Sequence, residues 1–110
     1  MSQPKRLIDG VDIGNTSTLI YTAPSNTTVV IKSASICETT NAAITVDMWI
    51  VESGGSAADA NLLYNDLAVS AKATIDLSSL VNKVLQAGDM IYAQASTASA
   101  LTLHISGSTV

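Results

Sequence analysis

Ile44-Thr45-Val46-Asp47-Met48-Trp49-Ile50-Val51 alternates between an apolar series and a second, mostly polar one, and Leu101-Thr102-Leu103-His104-Ile105-Ser106 repeats the pattern near the C-terminus. A period of two places successive side chains on opposite faces of a strand, one dry and one wet. The wet side is rich in hydroxyls and poor in charge, which suits a surface lying against other protein. Ile44, Val46, Met48 and Ile50 form one face of the first run, leaving Trp49 on the other with Thr45, Asp47 and Val51.

The same grammar runs through most of the chain. Residues 18–22 make a short strand stopped by Ala23-Pro24-Ser25-Asn26, where the ring of Pro24 fixes its own φ. Residues 27–37 are rich in Val, Ile and Thr, with Val30, Ala34 and Ile36 expected on one side and Val29, Ile31, Ser33 and Ser35 on the other. Ser53-Gly54-Gly55-Ser56 interrupts the strand before it, and residues 57–64 also tolerate a helical turn. Strand character returns over 61–70 and 74–77, and residues 80–85 lead into the tight turn Gln86-Ala87-Gly88-Asp89. Residues 90–97 and 100–106 read as a hairpin closing over Ala98-Ser99. About eight short strands separated by turn signals predict an all-β, antiparallel β-sandwich of jelly-roll type. No helix-period segment competes.

A chain of 110 residues can bury one substantial core. Hydrophobic residues are 47% and charged residues 13%, about half the usual charged share. That balance argues against disorder. The net charge is −4, and Lys5-Arg6 is the only adjacent basic pair, so no nucleic-acid partner is expected. Cys37 stands alone, which rules out a disulfide within the chain. The chain opens on polar residues without an apolar signal core, and no apolar run approaches the roughly 20 residues of a membrane helix. Synthesis in the cytoplasm and no membrane partner are therefore the expectations.

Residues 1–17 read apart from the 18–110 domain. Leu7, Ile8, Val11 and Ile13 are interleaved with Asp9, Gly10, Asp12 and Gly14, giving a broken, extended segment. It reads either as an edge strand on its own domain or as an arm crossing to a neighbouring subunit, which makes those four apolar residues candidate interface positions.

Catalytic chemistry is sparse. His104 is the sole histidine, placed by alternation on the polar face, and Cys37 ends an apolar strand as a buried thiol would. Asp47, Glu52, Asp59, Asp66, Asp76 and Asp89 do not make the dense Asp-x-Asp-x-Asp loop of a calcium site, and Asp89 reads as a turn residue. The Gly54-Gly55 loop lacks the lysine and following helix of a phosphate loop. No catalytic, cofactor-binding or metal site is expected, and no enzyme. Trp49 and Tyr64 remain as candidate contact residues, either for a protein interface or for a sugar platform.

The segment Tyr21-Thr22-Ala23-Pro24-Ser25-Asn26-Thr27-Thr28-Val29-Val30-Ile31-Lys32-Ser33 resembles small structural proteins of tailed bacteriophages. Cys37-Glu38-Thr39-Thr40-Asn41, the Ser53-Gly54-Gly55 link, the Ala87-Gly88-Asp89 hairpin and the closing Ser106-Gly107 share the resemblance, which spans roughly residues 20–108. It implies a compact sandwich on the virion: a capsid decoration (cement) protein, trimeric and bound to the major capsid protein, or a tail or baseplate module. A carbohydrate-binding receptor-recognition sandwich is the other reading.

Overall fold

The structure, a computed structural model, describes residues 3–109; residues 1, 2 and 110, which the segments 1–17 and 18–110 include, lie outside the described residues. The described chain is all-β. Its nine strands are β1 (Gln3–Asp12), β2 (Thr18–Thr22), β3 (Val29–Glu38), β4 (Ile44–Val51), β5 (Leu62–Val69), β6 (Thr74–Asp76), β7 (Val84–Leu85), β8 (Met90–Ala95) and β9 (Leu101–Thr109). Single 3-10 turns cover Asp59–Asn61 and Ser78–Leu80, the first of them inside the stretch expected to tolerate a helical turn. Among the described residues no helix is long and apolar enough to cross a membrane.

Two antiparallel sheets face each other. The first is ordered β1-β9-β3-β6, with β7 also on β3, and the second β2-β8-β4-β5. The pairs nest: β1 with β9, β2 with β8, β3 with β6 and β7, and β4 with β5. This is one long hairpin folded over so that alternate pairs fall into opposite sheets, the jelly-roll arrangement. The molecule is a flat brick of 43 × 27 × 19 Å.

The nesting corrects one expectation. β8 pairs with β2 and β4, whereas β9 pairs with β1 and β3, so residues 96–100 cross between sheets and do not close a hairpin. The Ala87-Gly88-Asp89 turn crosses likewise, from β7 on the first sheet to β8 on the second. Alternation identifies strands, but it carries no information about which strand lies alongside.

A second correction concerns β3. A register shift between Ile31 and Ser33 inserts one extra residue, so Val29 and Ile31 face the core ahead of it and Ala34 and Ile36 face the core after it. A bulge flips the phase of everything beyond it. The sequence pattern had divided these four residues between two faces.

The core is aliphatic, because the chain has no Phe. Ile31, Ile36, Met48, Ile91, Leu101, Leu103 and Ile105 are fully enclosed between the sheets, and Leu77, Leu80 and Leu85 seal one side. Each such side chain contributes about 1.5–3 kcal/mol relative to exposure. Ile8 and Ile13 belong to this core as well. Residues 3–12 are thus the edge strand of the first sheet, and Ile13 N–H donates to the Leu101 carbonyl at 2.9 Å.

The open edges are blunted. β1 carries two register shifts along β9, β2 one along β8, and β5 two along β4. β6 and β7 have three and two residues. Bulged, short or charged edges resist strand addition.

Candidate functional site

The outer face of the second sheet carries an apolar row that crosses all four strands. Leu19 on β2 lies opposite Tyr92 on β8, Tyr92 opposite Trp49 on β4, and Trp49 opposite Leu62 on β5. Residues opposite one another in an antiparallel ladder point to the same face, with Cβ atoms about 4.5–5.5 Å apart. Their chain neighbours Met48, Ile91 and Ala93 are buried, so this row points outward. Leu19 is 45% exposed; Tyr92, Trp49 and Leu62 are half-buried.

One step along the same face stands a polar pair, Asp47 opposite Gln94. Two residues of strand separate it from the aromatic pair by about 7 Å. Beside Asp47 the edge strand β5 bulges, Asp66 takes φ of 53°, and its N–H donates to Asp47 Oδ1 at 2.6 Å. Thr45, Asp47, Asp66, Gln94, Ala95 and Ser96 enclose a hollow of about 190 Å³. Among the described residues the second oxygen of Asp47 takes no hydrogen bond. Aromatic faces and hydrogen-bonding groups thus adjoin on one surface.

The outer face of the first sheet has a different chemistry. Down its two central strands run Thr102, His104, Ser106 and Ser108 on β9, and Val30, Ser33, Ser35 and Cys37 on β3. Toward one end Pro4, Lys5, Arg6, Lys32 and the 106–108 backbone line an open cleft of about 710 Å³. Asp9 and Asp76 flank the middle row of the face, beside His104 and Ser35, and Asp12 stands toward the other end opposite Thr102. The face is basic at the end of this cleft, hydroxyl-lined along its central strands and acidic on its flanking strands. Arg6 and Asp9 meet at 3.3 Å, an exposed pair of small energetic weight.

Asp9, His104, Ser35 and Asp76 occupy one row of that face, the residue types of an acyl-transfer triad. Among the described residues no hydrogen bond joins His104 to Asp9 or Ser35, and the histidine is exposed on a flat surface beside Gly10. The relay geometry of a triad is missing from this row. Among the described residues no three His, Cys, Asp or Glu side chains gather as they would around a metal ion.

The candidate interface residues separate into two groups. Ile8 and Ile13 are buried, Leu7 packs against the core, and Val11 is 37% exposed. Tyr64 packs on the core too, and its hydroxyl accepts from Ser79 N–H at 2.9 Å, pinning the Ser78–Leu80 turn. Trp49 alone among them lies on a broad outer face. Cys37 is half-buried on the outer face of the first sheet, flanked by Thr102 and Thr74, not enclosed in the core. Burial raises the Tyr21 phenol above its usual value.

Sequence reasoning had not singled out Leu19, Leu62 or Gln94, and had left Tyr92 unplaced. Tyr92 and Gln94 alternate with the buried Ile91, Ala93 and Ala95, which is the available signal, whereas Leu19 and Leu62 have no buried chain neighbours. Their convergence on Trp49 depends on register between strands far apart in sequence.

No family model and no curated protein matches the chain. Among solved structures it is similar, at 11% identity and a TM-score of 0.46, to a chain in the structure of infectious bursal disease virus Gx strain. The likeness covers 99% of this chain and 31% of that one, so the chain spans about a third of its length.

Proposed function

We propose that this chain is a non-enzymatic structural module of a virion, acting as a capsid decoration (cement) protein that docks on the major capsid protein. The observation that carries the reading is the outer face of the first sheet, with hydroxyls along its central strands, a basic cleft at one end and carboxylates on its flanking strands. Hydroxyl and small side chains allow close approach without stripping water from ions, which costs several kcal/mol for each buried charge. The basic cleft and the flanking carboxylates set the orientation in which a partner docks.

The architecture supports the same reading. Jelly rolls serve as viral capsid and lectin domains, and the blunted edges guard against open-ended strand pairing. The resemblance over residues 20–108 points to tailed-phage structural proteins. A face with a basic cleft and acidic flanks also suits head-to-tail contact between copies, which closes into rings such as a trimer. Repeated weak contacts on a fixed lattice then gain avidity from their number.

The test is localisation. Gold-labelled antibody on intact particles is expected to decorate the outside of the shell, and light scattering is expected to give the mass of a trimer. Absence from purified particles would overturn the reading. Labelling confined to tails would replace it with a tail or baseplate module.

A further inference from the structure

We propose that the outer face of the second sheet is a binding site for neutral saccharides, with Trp49 and Tyr92 as the stacking platform and Asp47, Asp66, Gln94 and Ser96 as the hydrogen-bonding wall. The site lies on the opposite side of the brick from the face assigned to capsid docking, so one molecule can use both.

The chemistry of a sugar ring matches what this face presents. A pyranose has a face of C–H groups and a rim of hydroxyls. The C–H face lies on an aromatic ring, and the rim needs paired donors and acceptors close by. Trp49 and Tyr92 are directly opposite each other across β4 and β8. The next pair on that face is Asp47 with Gln94, about 7 Å away by strand geometry. The hollow at the polar pair, about 190 Å³, is too small for a drug-sized ligand, whose pockets run to roughly 300 Å³ and more. It suits a single ring whose neighbours extend over the aromatic row.

The bulge in β5 makes the wall rigid. Asp66 N–H fixes Asp47 through Oδ1, leaving the second oxygen for a ligand hydroxyl, while the Gln94 amide can both donate and accept. The charge of the wall selects among sugars. Two carboxylates at the hollow repel sialylated, sulfated and uronic glycans, so hexoses and N-acetylhexosamines are the fitting class.

Trp49 is the one tryptophan of the chain, so emission excited selectively from tryptophan reports on this face alone. The full chain is titrated with neutral hexose and N-acetylhexosamine oligosaccharides, and with sialylated and sulfated ones, and the same compounds are printed on an array. A saturable change in Trp49 emission with neutral oligosaccharides is expected. Tyr92→Ala should weaken it about tenfold or more, with the far-ultraviolet spectrum unchanged. Asp47→Asn keeps the acceptor for Asp66 and serves as the second variant, expected to lessen discrimination against anionic glycans. No emission change and no retention with any neutral compound would overturn the proposal. So would preference for anionic glycans, or unaltered binding by both folded variants.

Discussion

Asp89 holds the backbone of Ser53 across the end of the second sheet, its Oδ1 accepting the Ser53 N–H at 3.1 Å over a separation of 36 residues. Its Oδ2 accepts from Gln86 N–H at 2.9 Å, so one carboxylate organises two turns. The same turns meet at Gly88, where φ is +85° and a Cβ would fall 2.9 Å from that of Ser53. Asp89→Ala removes both acceptors and is expected to lower stability by about 1–2 kcal/mol in chemical denaturation. An unchanged midpoint would show that water replaces the carboxylate at both amides.

Gly107 is required by close packing. It sits on β9 opposite Ile31 on β3, beside the bulge, and a Cβ built there would run into the Val30 carbonyl. The obstacle is backbone of a central strand, which cannot step aside as a side chain would. Gly107→Ala is expected to destabilise the fold by about 2 kcal/mol or more, measured by thermal or urea unfolding. The control is Gly54→Ala. A Cβ there meets nothing within 4 Å, so only its φ of +83° is strained and the loss should be smaller.

These two glycines show where the sequence is readable. Period-two alternation marks β4 and β9 because both run without interruption on the core side, and Pro24 and Gly88 announce their turns. β1 was harder, because Gly10 and two bulges break its period. Residues 1–17 therefore read either as an edge strand or as a crossing arm, and the burial of Ile8 and of Ile13 just beyond β1 was not legible. β3 lost its phase at Lys32 for the same reason. The outer face was legible only in halves. Alternation sent Trp49 outward, but Tyr92, Gln94 and Leu62 reach it through nested pairing that no local pattern encodes.

Tyr21 contributes to the alkaline limb of stability. Burial favours its neutral phenol and raises its titration above the usual value of about 10. The folded value exceeds the unfolded one, so the contribution is fully present below the unfolded value and is lost as pH rises through the folded one. Tyr21→Phe removes that dependence. Its unfolding midpoint should fall less steeply than that of the parent across the tyrosine range, and one tyrosinate should be missing from the absorbance titration. Parallel decline of the two proteins would assign the alkaline loss to other groups.

Glu38 is the one buried charged residue among the described ones, 1% exposed at the end of β3. Its Oε1 accepts from Thr40 N–H, while Oε2 is buried without a hydrogen-bond partner. An enclosed oxygen left unpaired costs about 1–3 kcal/mol, more when charged. Glu38→Gln keeps the acceptor for Thr40 and removes the charge at nearly constant shape. It is therefore expected to match or exceed the parent in urea unfolding at neutral pH. Glu38→Ala loses the turn's acceptor and leaves a void, so it should be less stable by about 2 kcal/mol. If the glutamine variant falls as far as the alanine one, the unpaired position penalises the amide as much as the carboxylate, and the cost at Glu38 is one of polarity and not of charge.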